Sequence, residues 1–260
     1  MKIAEHTCKH MEVDSVAAMY AKHAQLMERR GENYFDVESP QVMSIIPPDC
    51  WRILEIGCGA GGNLIGAKKR LTEMGRRCEI VGVEIEAGAA AIARERLDGL
   101  VQMNAESQPF TAYPKDYFDL VIMNYVLEHV VNPWAFLRKW LPYLKIGGTL
   151  IVGVPNICNY RVLDRIVFRN DFAHEPAGIL DWTHLRYYTR VSLERMLRDA
   201  GLTIERDALE PNRRRLTRLL VRIFPVFDRF LRVSYVVAAR KRAEVDAADY
   251  MPFDQTYTLS

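Results

Sequence analysis

Short apolar runs alternate with helix-like segments along most of the chain. Seven runs rich in apolar and β-branched residues predict strands, at residues 52–56, 79–85, 100–103, 118–123, 149–154, 202–208 and 233–239. Helices are predicted at residues 63–74, 87–97, 132–144 and 190–201. Strands that alternate with helices indicate a parallel sheet with helices on both faces. The pattern therefore predicts an α/β fold whose ligands bind at the carboxyl ends of the strands.

Local signals fix the ends of two of these helices. Asn132 and Pro133 fit an N-cap and a first helical position. Gly201 fits the end of a helix. Between the third helix and the fifth strand, we expect a turn at residues 145–148.

A glycine-rich loop follows the first predicted strand. Gly57, Gly59 and Gly62 match G-x-G-x-x-G, and Gly57, Gly59 and Gly61 match G-x-G-x-G. Glycine permits unusual dihedral angles and a close approach of the backbone to a ligand. Glycine turns also arise for purely structural reasons, so the loop indicates a nucleotide-type site only together with other signals.

Two acidic residues narrow the choice of cofactor. Glu84 lies near the end of the second predicted strand, where a carboxylate can accept hydrogen bonds from ribose hydroxyls. Glu55 lies two residues before Gly57. A carboxylate there would repel the pyrophosphate of a nicotinamide dinucleotide, but it suits the ammonium group of S-adenosylmethionine. The residues therefore favour S-adenosylmethionine over NAD.

Five motifs resemble those of class I S-adenosylmethionine-dependent methyltransferases, in matching order over roughly residues 50–240. They are ILEIGCGAG at 53–61, VGVEI at 81–85, NAESQPF at 104–110, FDLVIMNYVLEHVVNP at 118–133 and LKIGGTLIVGVPN at 144–156. The subgroup that the chain resembles contains ubiquinone-pathway and sugar or polysaccharide O-methyltransferases.

The resemblance implies a Rossmann-like, doubly wound, seven-stranded sheet, mostly parallel with one antiparallel strand and with helices on both faces. It also implies S-adenosyl-L-methionine as the cofactor. The residues expected at the methionine end are Glu55, Gly57, Gly59, Gly61 and Asn124. Those expected at the ribose and adenine are Glu84, Asn104, Ala105 and Glu106. The family often has aspartate where this chain has Asn104.

Two histidines are candidate catalytic bases, because a hydroxyl that accepts a methyl must lose a proton and histidine titrates near neutrality. His129 follows the fourth predicted strand in a Glu-His pair, and the alternative is that this pair only orients the loop. His184 lies in DWTHLRYYT at 181–189, which resembles a D-x-T-H-x-R-x-[FY]-T segment of the sugar-modifying subgroup. Its alternative is an aromatic flap in which Thr189 caps the next helix. His174 is a weaker candidate in the same insertion.

The insertion after the fifth strand is long, and such insertions commonly shape an acceptor pocket. Arg161, Arg165 and Arg169 recur there at helical spacing. They could bind an acidic acceptor or form a solvated helix face.

A basic, amphipathic stretch at residues 212–232 carries seven arginines and the single acid Asp228. It fits a lid over the acceptor, a peripheral contact with an anionic membrane or a dimer interface, and the oligomeric state stays open. Membrane contact would suit a lipid-linked acceptor.

Composition excludes several classes of protein. The 260 residues carry 35 basic and 33 acidic side chains, a net charge of +2, which provides no overall drive toward nucleic acid. The loop after the fourth strand also lacks the [DNS]-P-P-[YFW] segment of methyltransferases that act on amino groups of bases and glutamine.

The cysteines and the N-terminus indicate the compartment. Five cysteines without a C-x-x-C pair, a polar N-terminus and no long apolar run predict a cytoplasmic protein. His6-x-Cys8-x-His10 has poor spacing for zinc, so we expect no metal.

Together these features predict a helical lead at 1–48, a methyltransferase domain at 49–242 with insertions at 156–188 and 211–232, and a polar tail at 243–260. The predicted activity is transfer of a methyl group to an oxygen of a small molecule. The expected acceptor is a sugar, a glycan or a lipid-linked precursor. The alternatives are an NAD(P)-dependent oxidoreductase and a non-catalytic relative that binds S-adenosylmethionine.

Overall fold

A single sheet of seven strands organises the fold in the computed structural model, which describes residues 36–208 and 223–243. The strands are β1 (Arg52–Ile56), β2 (Glu79–Glu84), β3 (Gly99–Gln102), β4 (Phe118–Asn124), β5 (Leu144–Pro155), β6 (Leu202–Asp207) and β7 (Ser234–Lys241). Their order is β3-β2-β1-β4-β5-β7-β6. Only β7 runs antiparallel to its neighbours, β5 and β6. The predicted α/β, doubly wound fold is confirmed.

Seven α-helices are described, and several of their ends follow from the sequence. They are α1 (Pro40–Ile45), α2 (Gly62–Glu73), α3 (Ala87–Arg96), α4 (Pro133–Trp140), α5 (Tyr160–Arg169), α6 (Arg190–Asp199) and α7 (Asp228–Leu231), with 3-10 turns at Leu141–Tyr143 and Pro225–Phe227. The Asn132 side chain accepts a hydrogen bond from the Ala135 amide, as its N-cap role requires. Thr189 and Ser192 form a capping box at the start of α6.

Apolar side chains cover both faces of the sheet. Neighbouring residues of a strand point to opposite faces, and Ile53 and Leu54 of β1 accordingly enter two different core clusters. Phe136 and Trp140 of α4 pack on the side of Leu54, whereas Leu64 of α2 packs on the side of Ile53. Burial on both faces explains why the central strands β1 and β4 are mostly apolar, whereas the edge strand β6 carries exposed polar residues.

The strand order reverses between β1 and β4, which open a crevice beyond their carboxyl ends. The loops after β1, β2, β3, β4 and β5 meet at this edge. Every candidate site residue of the sequence lies in or beside one of these loops, in helix α2, or in the connection from β5 to α6. The topology therefore brings distant parts of the chain to one place.

The structure corrects the turn expected at residues 145–148, because β5 already begins at Leu144. Pairing with β4 jumps from Phe118 opposite Leu144 to Leu120 opposite Thr149. Gly147, with φ of +78°, lies in the stretch that this jump skips. Gly147 and Gly148 therefore mark an irregularity inside a longer strand rather than a turn before it.

The predicted domain limits stay predictions. Within the described ranges, residues 36–48 of the N-terminal lead include α1, whereas residues 1–35, residues 209–222 and most of the tail lie outside them. His6, Cys8 and His10 also lie outside. No helix in the described ranges has both the length and the apolar character that crossing a bilayer demands.

Candidate active site

A cavity of about 1050 Å³ lies at the carboxyl edge of the sheet. It collects all but one of the residues predicted to bind the cofactor or to act as the base. Those that line it are Glu55, Gly57, Gly59, Glu84, Asn104, Ala105, Glu106, Asn124, His129 and His184. Their side chains and backbone come from five separate segments, so one site unites them.

Gly61 is the exception among the predicted cofactor residues, because it is not among those that line the cavity. It is the N-cap of α2, with φ of +92°. A Cβ there would lie 2.9 Å from Cδ2 of Leu97. Gly61 is therefore required by the tight turn and by the packing of the loop on α3.

Gly57 combines a positive φ with a close neighbour on the cavity wall. Its φ is +70°, and a Cβ would lie 2.9 Å from Cγ2 of Val126. Its amide donates to the Val83 carbonyl at 2.8 Å, which holds the loop against β2. Backbone dihedrals and available space both require glycine here.

Glu84 ties the end of β2 to the glycine loop. Its Oε2 accepts a hydrogen bond from the Gly59 amide at 2.8 Å, and its Oε1 accepts from the Ile85 and Glu86 amides at 2.8 Å each. Burial raises the pKa of this carboxyl. A carboxylate oxygen has two lone pairs, so Oε2 retains acceptor capacity toward the cavity.

Glu55 is a buried carboxyl with one oxygen unsatisfied among the described residues. Its Oε1 accepts from Nδ2 of Asn63 at 2.7 Å, whereas Oε2 has no hydrogen-bond partner. Burial raises the pKa of Glu55 to about 8. Asn63 in turn accepts from the Ser39 amide at 2.8 Å, which ties the start of α1 to the site. Sequence reasoning missed Asn63 and Ser39, since neither belongs to a recognisable motif.

The loop after β3 is fixed by hydrogen bonds of its own residues. Oδ1 of Asn104 accepts from the amides of Glu106 at 2.9 Å and Ser107 at 3.1 Å. Oε1 of Glu106 accepts from the Asn132 amide at 3.0 Å. The Ala105 carbonyl accepts from Nζ of Lys139 at 2.7 Å. Asn104 thus shapes the loop through the same oxygen that an aspartate would use.

Asn124 ends β4 with its amide oxygen directed at Gly153 of β5. A Cβ on Gly153 would collide with this oxygen, so the glycine makes room for it. Oδ1 of Asn124 is buried without a hydrogen-bond partner among the described residues. Tyr125 then adopts φ of +58°, which turns the chain sharply out of the strand.

The two candidate bases, 55 residues apart in sequence, lie side by side. The ring centroids of His129 and His184 are 4.9 Å apart at an interplanar angle of 68°. Nδ1 of His129 lies 3.0 Å from Oγ1 of Thr183 and 3.3 Å from the Thr183 carbonyl oxygen. Nδ1 of His184 lies 2.9 Å from the Ile179 carbonyl oxygen. Both rings also line the cavity.

Glu128 completes this corner of the cavity. Its side chain is fully buried, and neither carboxyl oxygen has a hydrogen-bond partner among the described residues. Burial raises the pKa of Glu128 to about 8. One ligand-type atom from each of Glu128, His129 and His184 lies within 4.8 Å of the others. These are donor types that divalent metals use, and the absence of a metal stays a prediction.

The segment with the D-x-T-H-x-R pattern holds the loop after β4 in place. The amides of Leu185 and Arg186 donate to the Glu128 carbonyl at 2.7 and 3.1 Å. The Tyr188 hydroxyl donates to the Leu127 carbonyl at 3.1 Å. The segment therefore buttresses this loop and also presents Asp181 and His184 to the cavity.

The arginines of α5 are not among the cavity-lining residues. Arg165 pairs with Asp171 at 2.8 Å and with Glu175 at 2.5 Å, and Arg169 pairs with Asp164 at 2.7 Å. This supports the interpretation as a solvated helix face. His174 also lies off the cavity, with Nε2 2.8 Å from the Tyr187 hydroxyl.

The described end of the basic stretch lies beside the site. Asn156 donates from Nδ2 to the carbonyls of Arg229 at 2.7 Å and Arg232 at 2.9 Å, and Val233 lines the cavity. Phe224 and Phe227 are exposed. Residues 212–222 lie outside the described residues, and the lid, membrane and dimer interpretations stay open.

Comparison with known proteins decides the family. Residues 17–206 match the family described as "Methyltransferase domain". The chain belongs to this methyltransferase family. The ubiquinone biosynthesis O-methyltransferase of Ruegeria pomeroyi is 30% identical over 194 residues, 72% of each chain. The ubiquinone/menaquinone biosynthesis C-methyltransferase of Xanthomonas campestris is 35% identical over 146 residues, 52% of this chain and 53% of that protein.

Solved structures show the same fold. A methyltransferase from Methanosarcina mazei has a TM-score of 0.54 at 18% identity, and it covers 80% of this chain and all of its own. One from Archaeoglobus fulgidus has a TM-score of 0.52 at 19% identity and covers 85% of this chain and 94% of its own. The methyltransferase described here depends on S-adenosyl-L-methionine, as the sequence predicted.

The cavity fits this cofactor better than a dinucleotide. The buried, incompletely paired carboxyl of Glu55 lies just before the glycine loop, where it would oppose a pyrophosphate. The same carboxyl, once ionised, is a ready acceptor for an ammonium group. The residues that would hold the cofactor are therefore Glu55 with Gly57 and Gly59 at one end and Glu84 with the 104–106 loop at the other.

Proposed function

We propose that this methyltransferase transfers the methyl group to a hydroxyl oxygen of a small molecule, with a sugar, glycan or lipid-linked precursor as the acceptor. The observation that carries the proposal is the pair of adjacent imidazoles on the cavity wall, His129 and His184. A hydroxyl acceptor has to lose a proton during transfer, and an imidazole is the side chain suited to take it near neutral pH.

The remaining residues have binding and positioning roles. S-adenosylmethionine, when bound, supplies an electrophilic methyl group whose transfer to the hydroxyl oxygen leaves a neutral thioether and releases one proton. Glu84 accepts hydrogen bonds at the ribose, Glu55 attracts the ammonium, and Asn124 offers a buried amide oxygen at the end of β4. Ile179, Asp181 and His184, from the connection between β5 and α6, line the side of the cavity where the acceptor would bind.

The related proteins support an oxygen acceptor but leave a carbon acceptor as the second candidate. The relative that matches over 72% of each chain is named an O-methyltransferase. Others, which match over about half of their length, are named C-methyltransferases. Both reactions release a proton that the histidine pair can take, so the longer match with an O-methyltransferase is what favours oxygen.

A binding comparison followed by an acceptor panel tests the proposal. The purified chain is titrated calorimetrically with S-adenosylhomocysteine and with NAD, and we expect binding of the former. The panel then contains 3,4-dihydroxybenzoate, methyl glycosides and nucleotide sugars, each with methyl-labelled S-adenosylmethionine. Label transfer to a hydroxylated member supports the proposal. Binding of NAD instead, or transfer only to a carbon or nitrogen, would overturn it.

A further inference from the structure

The hydrogen bonds around His129 determine which of its ring nitrogens carries the proton. Nδ1 faces two oxygens of Thr183, the carbonyl at 3.3 Å and the hydroxyl at 3.0 Å. A carbonyl oxygen only accepts hydrogen bonds. The hydroxyl can accept as well as donate, so its own partner decides the direction of the second contact.

That partner is a carboxylate. Oγ1 of Thr183 lies 2.7 Å from Oδ1 of Asp181, and the same oxygen accepts from the Thr183 amide at 2.8 Å. An ionised carboxylate has no proton to donate, so the threonine hydroxyl donates to Asp181. Its lone pair then accepts from Nδ1–H of His129. The hydrogen bonds run in one direction, from His129 through Thr183 to Asp181.

Nδ1 of His184 faces a different kind of acceptor. That nitrogen lies 2.9 Å from the Ile179 carbonyl, a neutral acceptor. Asp181 and Thr183 are 4% and 1% exposed, so the connection from His129 to the carboxylate is shielded from water. In such surroundings a carboxylate stabilises an imidazolium more strongly than a carbonyl does.

We infer that Thr183 and Asp181 are positioning residues that hold His129 as the Nδ1–H tautomer, which makes Nε2 of His129 the base of the reaction. The inference rests on the proposed function. The acceptor's hydroxyl proton moves to Nε2, and the oxygen electron pair left behind forms the bond to the methyl carbon. The bond from that carbon to the sulfonium sulfur breaks, and the neutral thioether leaves. Thr183 keeps its proton, and the imidazolium later returns its proton to solvent.

In the part of the chain that the structure describes, ionisable groups lie close to the His129 imidazole, and their charges need a control. Glu128 precedes it in the loop, and His184 and Asp181 come from the connection between β5 and α6. Substitutions of Thr183 change no charge, so they separate the hydrogen-bond relay from the electrostatic field of these groups. Thr183→Val removes the hydroxyl, Thr183→Ser retains it, and His174→Gln is a control histidine off the cavity.

The first experiment is nitrogen-15 NMR of the histidine rings in the free protein, which requires neither cofactor nor acceptor. We expect His129 to show a protonated Nδ1 and an unprotonated Nε2 in the neutral ring of the wild type. Thr183→Ser should retain this pattern, and Thr183→Val should lower the His129 titration midpoint by about one pH unit. A proton on Nε2 in the wild type, or a midpoint unchanged by Thr183→Val, would overturn the inference.

The second experiment measures transfer to an acceptor found in the panel. Thr183→Val should lower kcat roughly 10- to 100-fold with little change in KM, and Thr183→Ser should restore most of it. Equal rates in the wild type and Thr183→Val would contradict the inference. So would activity abolished by EDTA and restored by Mg²⁺ or Mn²⁺, because His129 would then ligate a metal. The NMR experiment requires no methyl transfer, so it tests the tautomer of His129 separately from the proposed function.

Discussion

Asn63 donates a hydrogen bond from Nδ2 to Oε1 of Glu55 at 2.7 Å, while Oε2 of the same carboxyl has no partner among the described residues. Burial raises the pKa of Glu55 to about 8, so most of the free protein carries the protonated acid at neutral pH. An ammonium group placed beside it favours the carboxylate. Cofactor binding is thereby coupled to loss of a proton.

We therefore predict that S-adenosylmethionine binding releases close to one proton at about pH 7. Calorimetry in two buffers of different ionisation enthalpy measures this number directly. Glu55→Gln should abolish the release and weaken binding at least about tenfold, whereas Glu73→Gln at the end of α2 should do neither. Release that persists in Glu55→Gln would assign the proton to another group.

Gly57 and Gly75 offer a matched test of the glycine loop. Both have positive φ, +70° and +74°, but a Cβ would meet Val126 at 2.9 Å from Gly57 and nothing within 4 Å from Gly75. Gly75→Ala should cost about 1 kcal/mol of unfolding free energy from backbone strain alone. Gly57→Ala should cost roughly twice that and lower cofactor affinity more than about tenfold.

Urea unfolding and calorimetry of the two variants check this prediction. Cofactor affinity that falls equally in both would show that strain, rather than space at the loop, controls binding. The Gly75 variant also reports whether any loss of binding comes from general destabilisation.

The buried carboxyl of Glu128 should make the free energy of unfolding depend on pH. Burial raises its pKa in the folded protein from 4.5 to about 8, so the folded state binds more protons than the unfolded state between these values. The carboxyl's contribution to stability is thus highest below pH 4.5 and declines as the pH rises toward 8. Each pH unit in this window costs at most about 1.4 kcal/mol.

The comparison with Glu128→Gln isolates this effect, since glutamine does not titrate. We expect the variant to gain unfolding free energy relative to the wild type as the pH is raised across the window. Urea denaturation at several pH values gives the difference. A difference independent of pH would mean that the carboxyl has the same pKa in both states.

The sequence predicted most strands well because they are apolar runs between clear breaks. The strand at 52–56 matches β1 residue for residue, and Asn132 caps α4 as its position before Pro133 indicated. The turn at 145–148 was wrong, because the pairing of β4 with β5 continues past an irregularity that only the tertiary structure reveals. A local pattern therefore predicts where a strand or helix lies more accurately than where it begins and ends.

The site was predicted where it depends on loops that follow strands, and missed where it depends on contacts between distant segments. Glu55 and Glu84 were found from their positions beside the glycine loop. Asn63 was missed, because its bond to Glu55 is apparent only once α2 packs behind β1. The relay from His129 to Asp181 spans 52 residues, and nothing in either segment alone indicates it.

The most direct test of the account is carbon-13 NMR of the product made with methyl-labelled S-adenosylmethionine. We predict a methoxy signal, formed at a rate that falls at least about 100-fold in His129→Gln and less in His184→Gln. His174→Gln should leave the rate unchanged. A carbon- or nitrogen-bound methyl, or full activity without His129, would contradict transfer to oxygen assisted by this base.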